Sequence, residues 1–314
     1  MNYKYNFKTM GPQAARLVTT LQERRHLAFT LTEAVEITGL KAVSASSFLR
    51  ALVNRGVAAR LRPGLFQLVP FELGREKEYL GNPYIVAREL MAGRDYYLSH
   101  ASAMDVHRMT TQPQLVVYAA SPLARRKRTI FGAEFRFIRC PRSRFFGLRE
   151  QWVDKQEKVM VSDLERTVLD GLKAPEYCGG VGEVAKGFWM RRSDMDVRKL
   201  MDYAARLDTS AVTGRLGYLM ELLGIGEESD RAALQERLGK AYVLLDPTLP
   251  AEGKFLSKWR LRLNIAAEEL RAVLPLRPRF PLLLDSAQNQ RALGLGGISD
   301  KIRLQAALGE DPMA

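Results

Sequence analysis

Apolar positions in the first seventy residues recur at helical spacing in three successive blocks. Leu17, Val18 and Leu21 fall at i, i+1 and i+4 within residues 13–25 and mark one helical face. Thr30-Leu-Thr-Glu33 is a capping-box pattern opening a short second helix with Ala34, Val35 and Ile37 inside. Gly39 ends it and permits a tight turn. Ser44 is the expected N-cap of a third helix. Its inner face would hold Phe48, Leu49, Leu52 and Val53, its outer face Ser46, Ser47, Arg50 and Asn54. Two short apolar-rich segments between Val57 and Leu68 then flank Pro63-Gly64, a hairpin signal. Helix, helix, turn, helix, hairpin is the order of a winged helix-turn-helix.

The pattern changes after Pro70. Residues 70–83 read as a linker, followed by short helices over 84–91 and 99–109. Leu115 to Tyr118 is a buried-strand run, Phe135 and Phe137 alternate with Glu134 and Arg136, and 159–161 is a third strand. From Ser162 the spacing is helical again: Ser162-Asp-Leu-Glu165 is a second capping-box pattern, and Pro175 stops its helix. Further helices are predicted over 181–190, 195–207, 211–223 and 229–238, with late strands at 242–245 and 259–263. The fold class is therefore α+β: a winged helix-turn-helix over 1–75 and a larger mixed α+β domain over 76–274. A tail over 275–314 is expected to be partly ordered around a helix at 299–308.

Charge adds a binding partner to this outline. The 314 residues carry 48 Lys+Arg against 35 Asp+Glu, a net +13. Residues 1–75 hold 11 bases and 4 acids, and residues 121–149 hold 9 and 1; the remainder is nearly balanced. Clustered cations reinforce one another within a Debye length and favour a polyanion. The third helix would enter the major groove N-terminus first. Ser44, Ser46 and Ser47 would allow close approach, Arg50 could reach a guanine edge, and Asn54 continues the same face. Lys41 is a candidate phosphate clamp, and Arg60 and Arg62 flank the wing tip. The second patch is Arg125-Arg126-Lys127-Arg128, expected to cap a hairpin and to meet nucleic acid or a partner.

Candidate chemistry is sparse. Two cysteines, Cys140 and Cys178, without a CxxC exclude a disulfide scaffold and a four-ligand zinc knuckle and suit a reducing cytosol. His100 and His107 are seven residues apart, too far along a helix to share one ion. Asp154, Glu157 and Lys158 lack a spacing that singles out a nuclease, and Gly179-Gly180 before a helix is a weak phosphate signal. No catalytic residue, metal or cofactor is expected. No apolar run reaches the ~20 residues of a membrane span, and the first residues lack an apolar signal stretch, so a cytoplasmic protein without membrane contact is expected.

Ser162-Asp-Leu-Glu-Arg-Thr-Val-Leu-Asp170, followed by Pro175-Glu-Tyr-Cys-Gly-Gly180 and Glu183-Val-Ala185, resembles the signature of AbiEi-type antitoxins of type IV toxin–antitoxin systems. Tyr97-Leu-Ser-His100-Ala-Ser-Ala103 is similar to that family too. The resemblance spans about residues 10–265 and does not reach the tail. It implies a repressor of its own operon that binds inverted repeats in double-stranded operator DNA. It also implies a C-terminal domain that counters a nucleotidyltransferase-like toxin, with or without direct contact, in abortive phage infection. Two alternatives stand beside this non-enzymatic reading: a ligand-sensing winged-helix transcription factor, and a nucleic-acid-processing enzyme.

Overall fold

The computed structural model describes residues 8, 10–74, 76–112, 114–155, 157–272 and 274. The expected helix at 299–308 and the rest of the tail lie outside the described residues. The first segment folds as α1 (Pro12–Glu23), β1 (Ala28–Thr30), α2 (Leu31–Thr38), α3 (Ala42–Asn54), β2 (Ala58–Arg62) and β3 (Leu65–Leu68). The Thr30–Glu33 capping box forms in both directions, and Gly39 closes α2 in the left-handed region at φ 70°. β1 has no periodicity of its own and was not expected. It completes an antiparallel sheet in the order β1-β3-β2. α3 starts three residues before the expected position: Lys41 occupies the N-cap and Ser44 lies inside the helix, with no side-chain cap.

The larger segment contains α4 (Pro83–Met91), β4 (Tyr97–Leu98), α5 (His100–Val106), β5 (Val116–Ser121), β6 (Arg128–Ile130), β7 (Ala133–Arg139), β8 (Leu148–Trp152) and β9 (Lys158–Ser162). These strands form one mixed sheet in the order β6-β7-β5-β4-β9-β8. Next come α6 (Leu164–Lys173), α7 (Val181–Arg191), α8 (Val197–Leu207), α9 (Ser210–Leu223) and α10 (Glu228–Glu236). The described chain closes with β10 (Val243–Leu244), β11 (Lys254–Leu256), β12 (Leu261–Leu263) and α11 (Ala267–Ala272). The class is mixed α+β. No helix among the described residues is long and apolar enough to cross a membrane.

The expected boundary near residue 75 divides the chain but not the core. Val57, Ala58, Phe66 and Leu68 pack with α1, α2 and α3. Leu61 and Leu65 point the other way, into a cluster with Val86 and Leu90 of α4, Ile130 of β6 and Val161 of β9. Every residue of β3 is buried. A β-bulge between Arg60 and Arg62 aims Leu61 into this second cluster. The described residues up to Leu274 form a single compact unit.

The motif from Ser162 to Asp170 is the polar centre of the helical layer. Ser162 ends β9 rather than capping a helix, and Asp163 is the true N-cap, accepting from the Arg166 amide at 2.9 Å. Arg166 is fully buried. Its Nε donates to Asp170 at 2.9 Å, its Nη1 to the Arg144 carbonyl at 2.7 Å, and its Nη2 to the Tyr97 hydroxyl at 3.0 Å. Desolvation works against this guanidinium's charge, but Asp170 and Tyr97 outweigh it and hold its pKa above the usual value. Lys199 bridges Asp163 and Glu165, each at 3.0 Å, and ties α8 to α6. Gly217 lets α9 lie flat on Trp259, because a Cβ there would sit 2.0 Å from the indole.

Candidate nucleic-acid interface

α3 is amphipathic in the expected sense. Ala45, Leu49 and Leu52 are buried against α1, α2 and the hairpin. Lys41, Ser44, Ser46, Ser47, Arg50 and Asn54 are all exposed. Ser46, Arg50 and Asn54 follow one another at i, i+4 and i+8. With Arg60 they wall an open groove of about 460 Å³ whose floor is Val53 and Phe66. Four of the residues expected to meet DNA, drawn from a helix and a strand, thus share one concave surface. Arg62 is half-buried beside it, its Nη1 on the Pro63 carbonyl at 3.2 Å. The hairpin tip is held in place: the Leu31 amide donates to the Gly64 carbonyl at 3.0 Å, and Gly64 adopts φ +76°.

The 125–128 tetrad does not cap a hairpin. β5 and β7 are parallel neighbours, so the chain leaving Ser121 must cross to the sheet edge before β6 begins at Arg128. The tight turn is Phe131-Gly132 instead. Arg125 lies on the crossing segment and donates from Nη1 to the Leu90 carbonyl at 2.9 Å, in the last turn of α4. Desolvation and then the cations Arg94, Arg128 and Arg62 lower its pKa. Leu61 and Leu65, on either side of Arg62, pack with Leu90 and Ile130, so Arg62 lies near the second basic segment. Arg126 and Arg128 are exposed and without carboxylate partners among the described residues, whereas Lys127 stands 4.0 Å from Glu134.

Two of the five remaining arginines of 121–149 are paired. Arg136 pairs with Glu134 at 2.6 Å and Arg142 with Asp95 at 2.7 Å. Two contributors were missed from sequence. Arg94 sits in a segment of nearly balanced charge, which hid it from counting. Val43 is 81% exposed at the N-terminal end of α3. Its spacing to Ser46, Ser47 and Arg50 was the signal that could have found it.

The other candidates resolve into structural roles. Asp246 accepts from the Val181 amide at 2.7 Å, so a carboxylate of the chain already occupies the α7 N-terminus behind Gly179-Gly180. His107 Nε2 lies 2.6 Å from the Ser162 carbonyl, and His100 Nδ1 lies 2.9 Å from the Ser99 hydroxyl. Asp154 accepts from the Glu157 amide at 2.7 Å, Glu157 pairs with Arg88 at 2.8 Å and Lys158 with Glu150 at 3.6 Å, so the residues weighed for a nuclease are engaged in a turn and in ion pairs. Both cysteines are buried and free. Among the described residues no cluster of three or more His, Cys, Asp or Glu could hold a metal ion.

No protein-family model and no curated protein matches the chain. A solved structure does: the crystal structure of the RV2827C protein from Mycobacterium tuberculosis is similar, with a TM-score of 0.63 at 17% identity. The match covers 85% of this chain and 96% of that one. At that identity the likeness establishes a shared fold.

Proposed function

We propose that residues 10–69 are a winged helix-turn-helix that binds double-stranded operator DNA. In this reading α3 lies in the major groove, with Ser46, Ser47, Arg50 and Asn54 facing the bases and Lys41 and Arg60 on phosphates. Val43 would meet a thymine methyl. One observation carries the reading. Ser46, Arg50, Asn54 and Arg60 wall one open groove, and neither arginine has a carboxylate partner among the described residues. The hairpin, largely buried, would offer DNA Arg60 and its tip, and Arg62, Arg94, Arg126 and Arg128 would extend the phosphate track beyond them.

We infer further, from the Ser162–Asp170 and Pro175–Ala185 resemblance, that the chain is the antitoxin of a type IV system. It would repress its own operon and counter a nucleotidyltransferase-like toxin in the cytoplasm. The saturated hydrogen bonding of that motif supports a scaffolding role for it rather than a chemical one.

Mobility-shift titrations with the DNA upstream of the chain's own gene, against random duplex of equal length, test the first part. Preferential binding that is lost in Arg50→Ala/Arg60→Ala supports it, and equal binding to both duplexes overturns it. Co-expression with the neighbouring gene tests the second. Growth arrest relieved by this chain supports the antitoxin reading, and no arrest or no relief removes it.

A further inference from the structure

The small sheet β10-β12-β11 has an inner and an outer face. Leu261 of β12 is fully buried, and Val243, Leu256 and Leu263 pack with it against the helical core. The register places Phe255 directly opposite Arg262 and sets β10 parallel to β12, so that Tyr242 falls beside Arg260. These four form the outer face. Phe255 is 65% exposed and Tyr242 38%. Their rings meet edge to face at 5.1 Å across β12. The Arg260 guanidinium lies 5.4 Å from the Tyr242 ring centre and that of Arg262 lies 5.3 Å from Phe255. The Arg262 Nε is buried and has no hydrogen-bond partner.

A mostly exposed Phe on a sheet contributes little burial free energy to the fold. Here it is paired with a second aromatic and flanked by cations. Lys240, Lys254, Arg260 and Arg262 have no carboxylate partner among the described residues, and Lys258 alone is neutralised, by Glu221 at 2.6 Å. Of the acids beside these strands, Asp246 is committed to α7 and Glu252 pairs with none of the four cations. Exposed π-faces with interleaved arginines and a positive rim suit a ligand with flat rings and a negative backbone. A duplex hides its base faces; a single strand presents them. We propose that this face is a stacking site for unpaired bases of single-stranded nucleic acid, with Phe255 and Tyr242 as the platform and Arg260, Arg262, Lys254 and Lys240 along the phosphates. The site is separate from the α3 groove and does not depend on the reading given to that groove.

Fluorescence anisotropy of the full chain with labelled oligouridylate and oligothymidylate of twelve nucleotides tests it, the pair distinguishing RNA from DNA as the strand preferred. Stacking of one base corresponds to a loss of about 5- to 150-fold on alanine substitution. Phe255→Ala should show a loss of that size, Phe255→Leu the same, and Phe255→Trp should bind as wild type. Phe255 is mostly exposed, so these variants fold, and unchanged duplex binding serves as the control. Arg50→Ala should leave single-strand binding intact. The proposal falls if wild type binds neither oligonucleotide, if Phe255→Leu binds as wild type, or if Arg50→Ala rather than Phe255→Ala removes the binding.

Discussion

Arg125 donates to the Leu90 carbonyl at 2.9 Å and so ties the segment between β5 and β6 to the C-terminal turn of α4. A cation there also complements the helix dipole. This contact sets Arg125 apart from its three neighbours in the tetrad, which are exposed. Arg126→Gln/Lys127→Gln/Arg128→Gln should therefore lower the salt dependence of duplex binding without loss of stability. Each phosphate contact removed flattens log K against log salt by about 0.9. Adding Arg62→Gln should flatten it further by up to the same step. An unchanged slope in the triple variant would remove this patch from the DNA footprint.

Arg50 projects from the exposed face of α3 into the groove it shares with Arg60. Arg50→Ala should cost about 1–3 kcal/mol on specific DNA and relax the base preference at one position. Binding-site selection with the variant reads this directly. Equal losses on specific and random duplex would reduce Arg50 to a phosphate contact.

Leu61 and Leu65 are buried against α4 and β6, not against the three N-terminal helices. A fragment ending at residue 80 exposes both, at about 1.5–3 kcal/mol each. Urea titration should show it clearly less stable than a fragment ending at residue 95, which retains α4. Equal midpoints would mean that the hairpin does not depend on this second layer.

Arg166 and Asp170 form an ion pair with side chains 1% and 4% exposed. Removing one partner strands the other charge, so Arg166→Met should destabilise the chain by about 3–5 kcal/mol. Arg166→Met/Asp170→Leu should be less damaging than Arg166→Met alone. A double variant as unstable as the sum of the two singles would show that their energies are not coupled.

Burial pushes the His100 imidazole down from 6.5 to about 4, with Asp170 opposing and Arg166 and Lys173 adding to the shift. Burial lowers His107 as well. The unfolded chain then binds protons before the folded one does. The stabilisation is complete above about pH 6.5 and is lost as pH falls towards 4, on the order of 3 kcal/mol for His100. Urea midpoints at pH 7 and pH 4.5 should differ in that direction, and His100→Gln should shrink the difference. A wild-type midpoint independent of pH over this range would contradict the assignment.

The outer face of α3 was legible because a helix repeats every 3.6 residues, so Leu49 and Leu52 inward force Arg50 and Asn54 outward. The Thr30–Glu33 box and the Pro63-Gly64 turn were equally local and formed as read. Of the short strands, β10 and β12 fell within the predicted segments, but others were not legible. β1, β4, β6 and β11 have two or three residues each, too few to show alternation, and their identity rests on partners far along the chain. The tetrad was misplaced for the same reason: nothing local distinguishes a hairpin from a crossing between the parallel strands β5 and β7.

Sequence alone thus determined the mixed class, the helical faces and the two concentrations of positive charge, because each depends on neighbours within a few residues. Tertiary structure decided which strands pair, that the hairpin is largely buried, and that Arg62 lies near the second basic segment. It also set Phe255 opposite Arg262 on an open sheet face. Each of these depends on contacts between segments distant in the chain, formed when the sheet order and the packing of Leu61 and Leu65 bring them together.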